Sequence, residues 1–187
     1  MPILAPLTEN DDSEVIVTVS DAKRGARVVA FDTDGPRLAA GSGFDGGYRW
    51  RHQLAVAPFA ADDVPELAAV ETPHIGGTVR FCRREDETLR IVGSVSGYSS
   101  HTIGSRVLDG AVAGDFDNGG RPELLVPDDS RAHLGAVRRT EGGAQEAWKL
   151  SIGGTLTTNV TGTRLADGGV AVGVGHAEGV RIWQSPA

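Results

Sequence analysis

One short pattern recurs along the chain and limits the possible folds more than any other feature. An apolar residue leads into a turn rich in acidic and small residues, and a β-type run follows. The pattern is clearest at Ala113–Val126, and a similar pattern occurs at Ala57–Val70 and Ala5–Val19. Because each copy ends one strand and begins another, the pattern predicts a repeated hairpin.

The copies are spaced at intervals of about 50 residues, which is room for four short strands. The tripeptide Pro-Glu-Leu recurs at residues 65–67 and 122–124, and the third strand-like run of successive units contains GTVRF, GAVRR and GVRIW. Four short strands per repeat at this period are typical of a β-propeller. A single unit of this size cannot bury both of its faces, so neighbouring units are expected to stack.

We therefore predict an all-β fold, a β-propeller of four blade-units, at about residues 1–52, 53–109, 110–157 and 158–187. Short β-branched runs between glycine-rich and aspartate-rich turns support this fold class. The last unit has three strand-like runs where the others have four, so the units form either a small ring or half of a larger one. An irregular β-sandwich is the alternative.

The turn at residues 115–123, DFDNGGRPE, resembles the calcium-loop repeat of FG-GAP and VCBS-type propellers, which integrin α-subunits also contain. That family's pattern is close to D-x-D-G-D-G-x-x-D/E, and Asp115, Asp117 and Glu123 match its first, second and last acidic positions. The resemblance implies a Ca²⁺ site with these three ligands, because alternate oxygens converge on one ion and glycine permits the tight turn. An Asx-type turn that caps the backbone is the competing interpretation.

The resemblance covers all four units by spacing and only the third unit by motif. The second-to-third-strand hairpin of the fourth unit is also similar to that of WD-repeat blades, but the Gly-His and Trp-Asp marks of that family are absent. The first residues lack a basic region and a long apolar run, so no signal peptide is predicted. If the chain is a fragment, the family resemblance suggests a secreted or cell-surface protein.

The histidines fall in two kinds of connection. Two lie between the last strand of a unit and the first strand of the next, and three lie between second and third strands. Because strand direction alternates, both connections emerge on one face, opposite the acidic turns. The predicted binding face therefore contains these residues and their neighbours: His52, His74, His101, His133, His176, Tyr98 and Arg106.

Three functions are compatible with this arrangement. The first is a non-catalytic binding or scaffold module that uses the loops of one face, with a carbohydrate as a candidate ligand. The second is a polysaccharide lyase or sugar dehydratase, as in propellers related to the resembled family, with His52, His74 and His101 as bases or metal ligands. The third is an assembly unit whose open blade edge pairs with a second copy or another protein chain.

Composition argues against other partners. The formal net charge of −7 is unfavourable for binding a nucleic-acid backbone or an anionic membrane surface. No apolar run approaches the ~18 residues that a membrane-spanning helix needs. Cys82 is the single cysteine, so no internal disulfide forms.

Overall fold

The computed structural model describes residues 2–8, 12–43, 49–108, 110–166 and 168–185. These ranges contain fifteen β-strands and no α-helix, which confirms the all-β prediction. In the same ranges no helix is long and apolar enough to cross a membrane. The predicted unit limits at residues 109 and 187, and part of the first acidic turn at residues 9–11, lie outside the described residues.

Successive strands form antiparallel meanders in chain order. The first meander contains β1 (Ile3–Ala5), β2 (Glu14–Asp21), β3 (Gly25–Phe31) and β4 (Arg37–Gly41). The second contains β5 (Arg51–Ala57), β6 (Glu66–Glu71), β7 (Thr78–Glu85) and β8 (Thr88–Ser96). The third contains β9 (Val112–Gly114), β10 (Glu123–Pro127), β11 (His133–Thr140) and β12 (Gly143–Ser151). The fourth contains β13 (Thr161–Arg164), β14 (Val170–His176) and β15 (Gly179–Gln184).

The first two meanders join into one eight-stranded sheet. The joint is a short parallel pairing in which Ala40 and Gly41 of β4 lie opposite Thr88 and Leu89 of β8. The third meander forms a four-stranded sheet and the fourth a three-stranded sheet. The first strands of the first three meanders also lie close together, with β5 in contact with both β1 and β9.

The second strands are the most buried elements. Every residue of β6 and of β10 is buried, so these strands have continuous apolar runs, LAAV and LLV, instead of alternation. The turn before β10 needs backbone angles that few residues tolerate: Asn118 has a φ of 57° and Gly120 a φ of 79°. Asparagine and glycine accept this left-handed region at the lowest cost.

Three hydrophobic clusters connect successive meanders. The first packs β2 and β3 against β6, and both Ile16 and Leu67 are fully buried there. The second packs β6 and β7 against β10 around Phe81. The third packs β10 and β11 against β14 around Leu125. Each side chain of this size contributes about 1.5–3 kcal/mol when it is fully buried, so the clusters hold each meander to the next.

Candidate functional site

Three of the predicted histidines come together at one end of the second meander. The ring centroids of His74 and His101 are 4.6 Å apart, and those of His52 and His101 are 5.0 Å apart. His52 is the second residue of β5, His74 lies between β6 and β7, and His101 lies in the connection after β8. Three separate segments therefore converge on one cluster, which we call the histidine cluster.

A buried serine links the rings of the histidine cluster. The Ser100 hydroxyl is 2.9 Å from Nδ1 of His52 and 2.9 Å from Nδ1 of His101. A hydroxyl has one hydrogen, so it donates to one ring and accepts an N–H from the other. Nδ1 of His74 donates to the carbonyl oxygen of His101 at 3.2 Å. These bonds use the Nδ1 atoms, and the Nε2 atoms lie outside this chain of hydrogen bonds.

Burial keeps two of these rings uncharged at neutral pH. His52 is only 7% exposed, and burial, followed by the neighbouring His101, lowers its pKa to about 4. Burial, followed by the proximity of His74 and Arg131, lowers the pKa of His101 to about 4 as well. Neutral imidazoles act as hydrogen-bonding groups and as weak proton acceptors, not as fixed positive charges.

A cavity of about 520 Å³ lies beside the histidine cluster, between the first and second meanders. Its walls include apolar side chains such as Val17 and Leu108, and its polar groups include His52 and His101. The indole of Trp50, 65% exposed, lies at the same cavity. A concave, mainly apolar space with a few convergent polar groups is the usual form of a small-molecule site.

Tyr98 does not line this cavity. It is 2% exposed and packs in the cluster between the second and third meanders. Its hydroxyl donates to Glu146 at 2.6 Å, and burial, followed by Glu146, raises its pKa. The expectation that Tyr98 belongs to a solvent-facing binding surface therefore does not match its position, because its ring fills core space beneath that surface.

The other residues of the predicted binding face, His133, His176 and Arg106, do not belong to the histidine cluster. His133 is held by Asp128, whose carboxylate lies 3.0 Å from Nδ1. His176 ends β14, and its Nδ1 accepts a backbone N–H from Glu178 at 3.4 Å. Arg106 is exposed in the connection after β8. The hydrogen bonds of His133 and His176 thus organise local turns.

Two members of the site were missed by sequence reasoning. Ser100 is hydrogen-bonded to His52, which is 48 residues away, so no local sequence pattern indicates this pair. Trp50 precedes His52 by two positions, and residues two apart on an extended segment share a side. That spacing was the available signal for Trp50.

The three acidic residues of the third unit form a compact group. Ligand atoms of Asp115, Asp117 and Glu123 all lie within 4.8 Å of one another, so this cluster can hold a metal ion. The turn itself already uses some of these oxygens. Asp115 accepts the backbone N–H groups of Gly119 and Gly120, both at 2.9 Å, and Asp117 accepts that of Gly119 at 3.0 Å.

Arg138 provides a positive charge to the same group. Its guanidinium contacts both Asp117 and Glu123, and its Nε donates to Glu123 at 3.1 Å. The other oxygen of Glu123 accepts the Phe116 N–H at 3.1 Å. Burial raises the pKa of Glu123. For Asp117 burial acts in the same direction, but the hydrogen bonds from Arg138, Glu123 and the Gly119 N–H together outweigh it, and the pKa falls. A metal ion would therefore have to displace a cation that is already bound.

The second unit repeats this arrangement with other residues. Arg83 contacts Asp62 at 2.6 Å and Glu66 at 2.7 Å. Glu66 also accepts a bond from Arg139, a residue of the third meander, at 2.8 Å. The glutamate of each Pro-Glu-Leu motif thus binds an arginine of its own meander, and Glu66 additionally connects two meanders. In the described part of the chain, only the acidic group of the third unit brings ligand atoms of three side chains within 4.8 Å, so the histidine cluster is not preassembled as a metal site.

Comparison with known proteins gives little further information. No protein-family model matches the chain. No curated protein matches it. A crystal structure of a protein of unknown function from Bacteroides caccae is similar, with a TM-score of 0.42 and 14% sequence identity over 93% of this chain. The chain covers 57% of that protein, little more than half its length.

Proposed function

We propose that the chain is a non-catalytic binding module whose ligand occupies the cavity beside the histidine cluster. One observation carries this proposal: hydrogen bonds hold imidazoles from three separate segments together, and two of them, His52 and His101, line a cavity of about 520 Å³. Buried polar side chains contribute less to packing than apolar ones would, so their convergence at a concave surface favours recognition.

A carbohydrate is the ligand class that the lining favours. The exposed indole of Trp50 offers a flat apolar surface for a sugar ring, and His52 and His101 offer polar groups for its hydroxyls. Arg49 lines the same cavity, and a guanidinium favours a sugar that carries a carboxylate. We therefore expect uronate-containing oligosaccharides to bind better than neutral ones.

Substituting Trp50 is the direct test of this site. We expect Trp50→Ala to weaken oligosaccharide binding at least about tenfold, because aromatic anchors carry much of the binding energy of such sites. Titration calorimetry with uronate-containing oligosaccharides measures the change. Ile91→Ala, at an exposed position on β8, is the matched control and should bind as the native chain does. Equal affinities of the native chain and Trp50→Ala would contradict the proposal.

A lyase or dehydratase remains the second candidate. Two imidazoles at one cavity, those of His52 and His101 with ring centroids 5.0 Å apart, are the observation in its favour, since a base must be positioned beside its substrate. The absence of a preassembled three-ligand metal site among the histidines of the described residues weighs against the metal-dependent form of this reaction. Formation of an unsaturated product from a uronate polymer, and its loss in His101→Ala, would favour the enzyme.

The finer architecture belongs to the same proposal. We infer that the four meanders are blades of a β-propeller, either as a small ring or as half of a larger one. The antiparallel order within each meander, the cores between successive meanders and the proximity of β5 to β1 and β9 support this inference.

A weak calcium site at Asp115, Asp117 and Glu123 is the remaining part of the proposal. The competition with Arg138 gives a sharp prediction: Arg138→Ala should bind Ca²⁺ at least about tenfold more tightly than the native chain, because the ion no longer displaces a guanidinium. Calcium should also raise the melting temperature of this variant more than that of the native chain. Scanning calorimetry with and without calcium measures the effect.

Arg83→Ala is the control for the calcium experiment. It removes the corresponding arginine from the second unit, where Asp62 and Glu66 provide two acids instead of three. Calcium should therefore stabilise Arg83→Ala no more than it stabilises the native chain. If calcium stabilised neither arginine variant beyond the native chain, the metal site would be excluded.

A further inference from the structure

Both imidazoles that line the cavity are hydrogen-bonded to one buried hydroxyl. Ser100 is 1% exposed, and its Oγ lies 2.9 Å from Nδ1 of His52 and 2.9 Å from Nδ1 of His101. Within the described residues this hydroxyl has no other hydrogen-bond partner. A hydroxyl has one hydrogen to donate, so the protonation states of the two Nδ1 atoms depend on each other.

The single hydrogen of Ser100 requires opposite tautomers in the two rings. Burial lowers the pKa of each ring to about 4, so at neutral pH each ring carries one N–H. The ring that accepts the hydroxyl hydrogen at Nδ1 has its own hydrogen at Nε2, and the ring that donates from Nδ1 has a bare Nε2. Two Nδ1 donors would leave the buried hydroxyl hydrogen without an acceptor, and two bare Nδ1 atoms would leave one of them facing the oxygen with no hydrogen between them. Either direction of donation gives the same opposite pair.

The Nε2 atoms are the polar positions that these two rings leave open. In the described part of the chain neither Nε2 has a hydrogen-bond partner, and neither belongs to the buried polar atoms that lack one. Both atoms are therefore accessible to solvent. His52 and His101 line the same cavity, and their ring centroids are 5.0 Å apart. The cavity thus offers a ligand one N–H donor and one bare nitrogen acceptor side by side.

We propose that Ser100, by fixing opposite tautomers, makes the histidine pair select a hydroxyl group of the ligand. A hydroxyl accepts from the protonated Nε2 and donates to the bare one, and two neighbouring hydroxyls of one sugar ring can share these roles. A carboxylate only accepts and an ammonium only donates, so either group would leave one nitrogen unpaired. The inference rests on the proposed function and specifies its ligand: sugar hydroxyls contact His52 and His101, and the carboxylate of a uronate contacts Arg49.

The tautomers can be measured in the chain without a ligand. In ¹⁵N-labelled chain 1–187 the nitrogen shifts of each imidazole report the fraction of each nitrogen that is protonated. The fraction protonated at Nδ1 in His52 should equal the fraction protonated at Nε2 in His101, whichever direction of donation predominates. Ser100→Ala removes the shared hydrogen, so we expect this equality to be lost.

Ser99→Ala is the matched control for Ser100→Ala. Ser99 is also buried, at 5% exposed, but its hydroxyl bonds to the carbonyl oxygens of Pro73 at 2.7 Å and His101 at 3.1 Å, not to a ring nitrogen. Both variants lose a buried hydroxyl from the same segment, so a general loss of stability affects both. Ser99→Ala should keep the opposite tautomers of the native chain.

Ligand selection is tested with a diglucuronate and its deoxyfluoro derivatives, each with fluorine in place of one hydroxyl. Fluorine cannot donate a hydrogen bond, so at least one derivative should bind the native chain and Ser99→Ala at least about tenfold more weakly than the parent sugar. In Ser100→Ala the same derivative should lose less affinity, because a ring freed from Ser100 can turn its bare Nε2 into a donor. Titration calorimetry measures each affinity.

Loss of the opposite tautomers and loss of ligand binding have different meanings. Equal tautomers in both rings of the native chain, or unchanged opposite tautomers in Ser100→Ala, would overturn the proposal. Equal affinities of the native chain for the diglucuronate and all its derivatives would overturn the selection of a hydroxyl. Opposite tautomers in a native chain that does not bind the diglucuronate would confirm the effect of Ser100 on the rings and contradict the proposed function, and with it the ligand.

Discussion

Replacing Glu66 by alanine is expected to lower the free energy of unfolding by about 3–5 kcal/mol. Glu66 is fully buried and binds two guanidinium groups, that of Arg83 in its own meander and that of Arg139 in the next. Removing one partner of a buried ion pair leaves the other charge without compensation, and this accounts for most of the expected loss.

We expect this substitution to weaken mainly the contact between the second and third meanders. Arg139 is only 7% exposed, and its guanidinium also lies 6.0 Å from the ring centroid of Phe81. It donates to the carbonyl oxygen of Thr140 at 2.8 Å, so it cannot turn towards water without breaking further bonds. Without Glu66, a positive charge therefore stays in the core beside an aromatic ring.

Urea unfolding of Glu66→Ala and Asp62→Ala gives a matched comparison. Both substitutions remove a carboxylate that binds Arg83, but the Asp62 side chain is 52% exposed. Exposed ion pairs contribute at most about 1 kcal/mol, so Asp62→Ala should remain close to the native chain. Losses of similar, small size in both variants would show that Glu66 is not an essential buried partner.

The strand pattern was predictable because it is a local property of the sequence. Most observed strands overlap a segment in which β-branched or other apolar residues follow a glycine-rich or acidic turn, and several of these turns contain residues with positive φ. The Pro-Glu-Leu motif marks the start of β6 and of β10 for the same reason. Fold class follows from such local signals, whereas the partners of each glutamate do not.

The arginine partners depend on strand pairing. Glu66 binds Arg83, 17 residues later, and Glu123 binds Arg138, 15 residues later, because the following strand runs back antiparallel to the first. The acidic-turn motif includes neither arginine. A comparison of that motif alone therefore indicates that the acids are metal ligands, because it omits the guanidinium that already neutralises part of their charge.

Tyr98 illustrates a different limit. Its hydroxyl binds Glu146, 48 residues away, and its ring occupies the space where a side chain on Gly135 would lie: a Cβ there would be 2.5 Å from the ring. The role of Tyr98 thus depends on a glycine and an acid in another meander. Tyr98 was predicted to lie beside the histidines because it belongs to the same connection as His101. Its side chain instead packs into the core.

The histidine cluster predicts that stability falls in mild acid. Between pH 8 and pH 5, His52 alone should lower the free energy of unfolding by about 2 kcal/mol. Its pKa is about 4 in the folded chain and near the ordinary 6.5 in the unfolded chain. Above 6.5 both states are neutral at this residue. Below 6.5 only the unfolded state gains a proton, so stability decreases as the pH falls towards 4.

His101 should add a smaller loss in the same direction, because it is less buried than His52 and water offsets part of the effect. His52→Gln keeps a hydrogen-bonding group near Ser100 but does not titrate. Between pH 8 and pH 5 the free energy of unfolding of this variant should therefore fall by about 2 kcal/mol less than that of the native chain. His176→Gln, which changes a histidine outside the cluster, is the control for the substitution itself. Urea unfolding at both pH values measures all three chains. An unchanged dependence in His52→Gln would mean that His52 is not held neutral by its buried position.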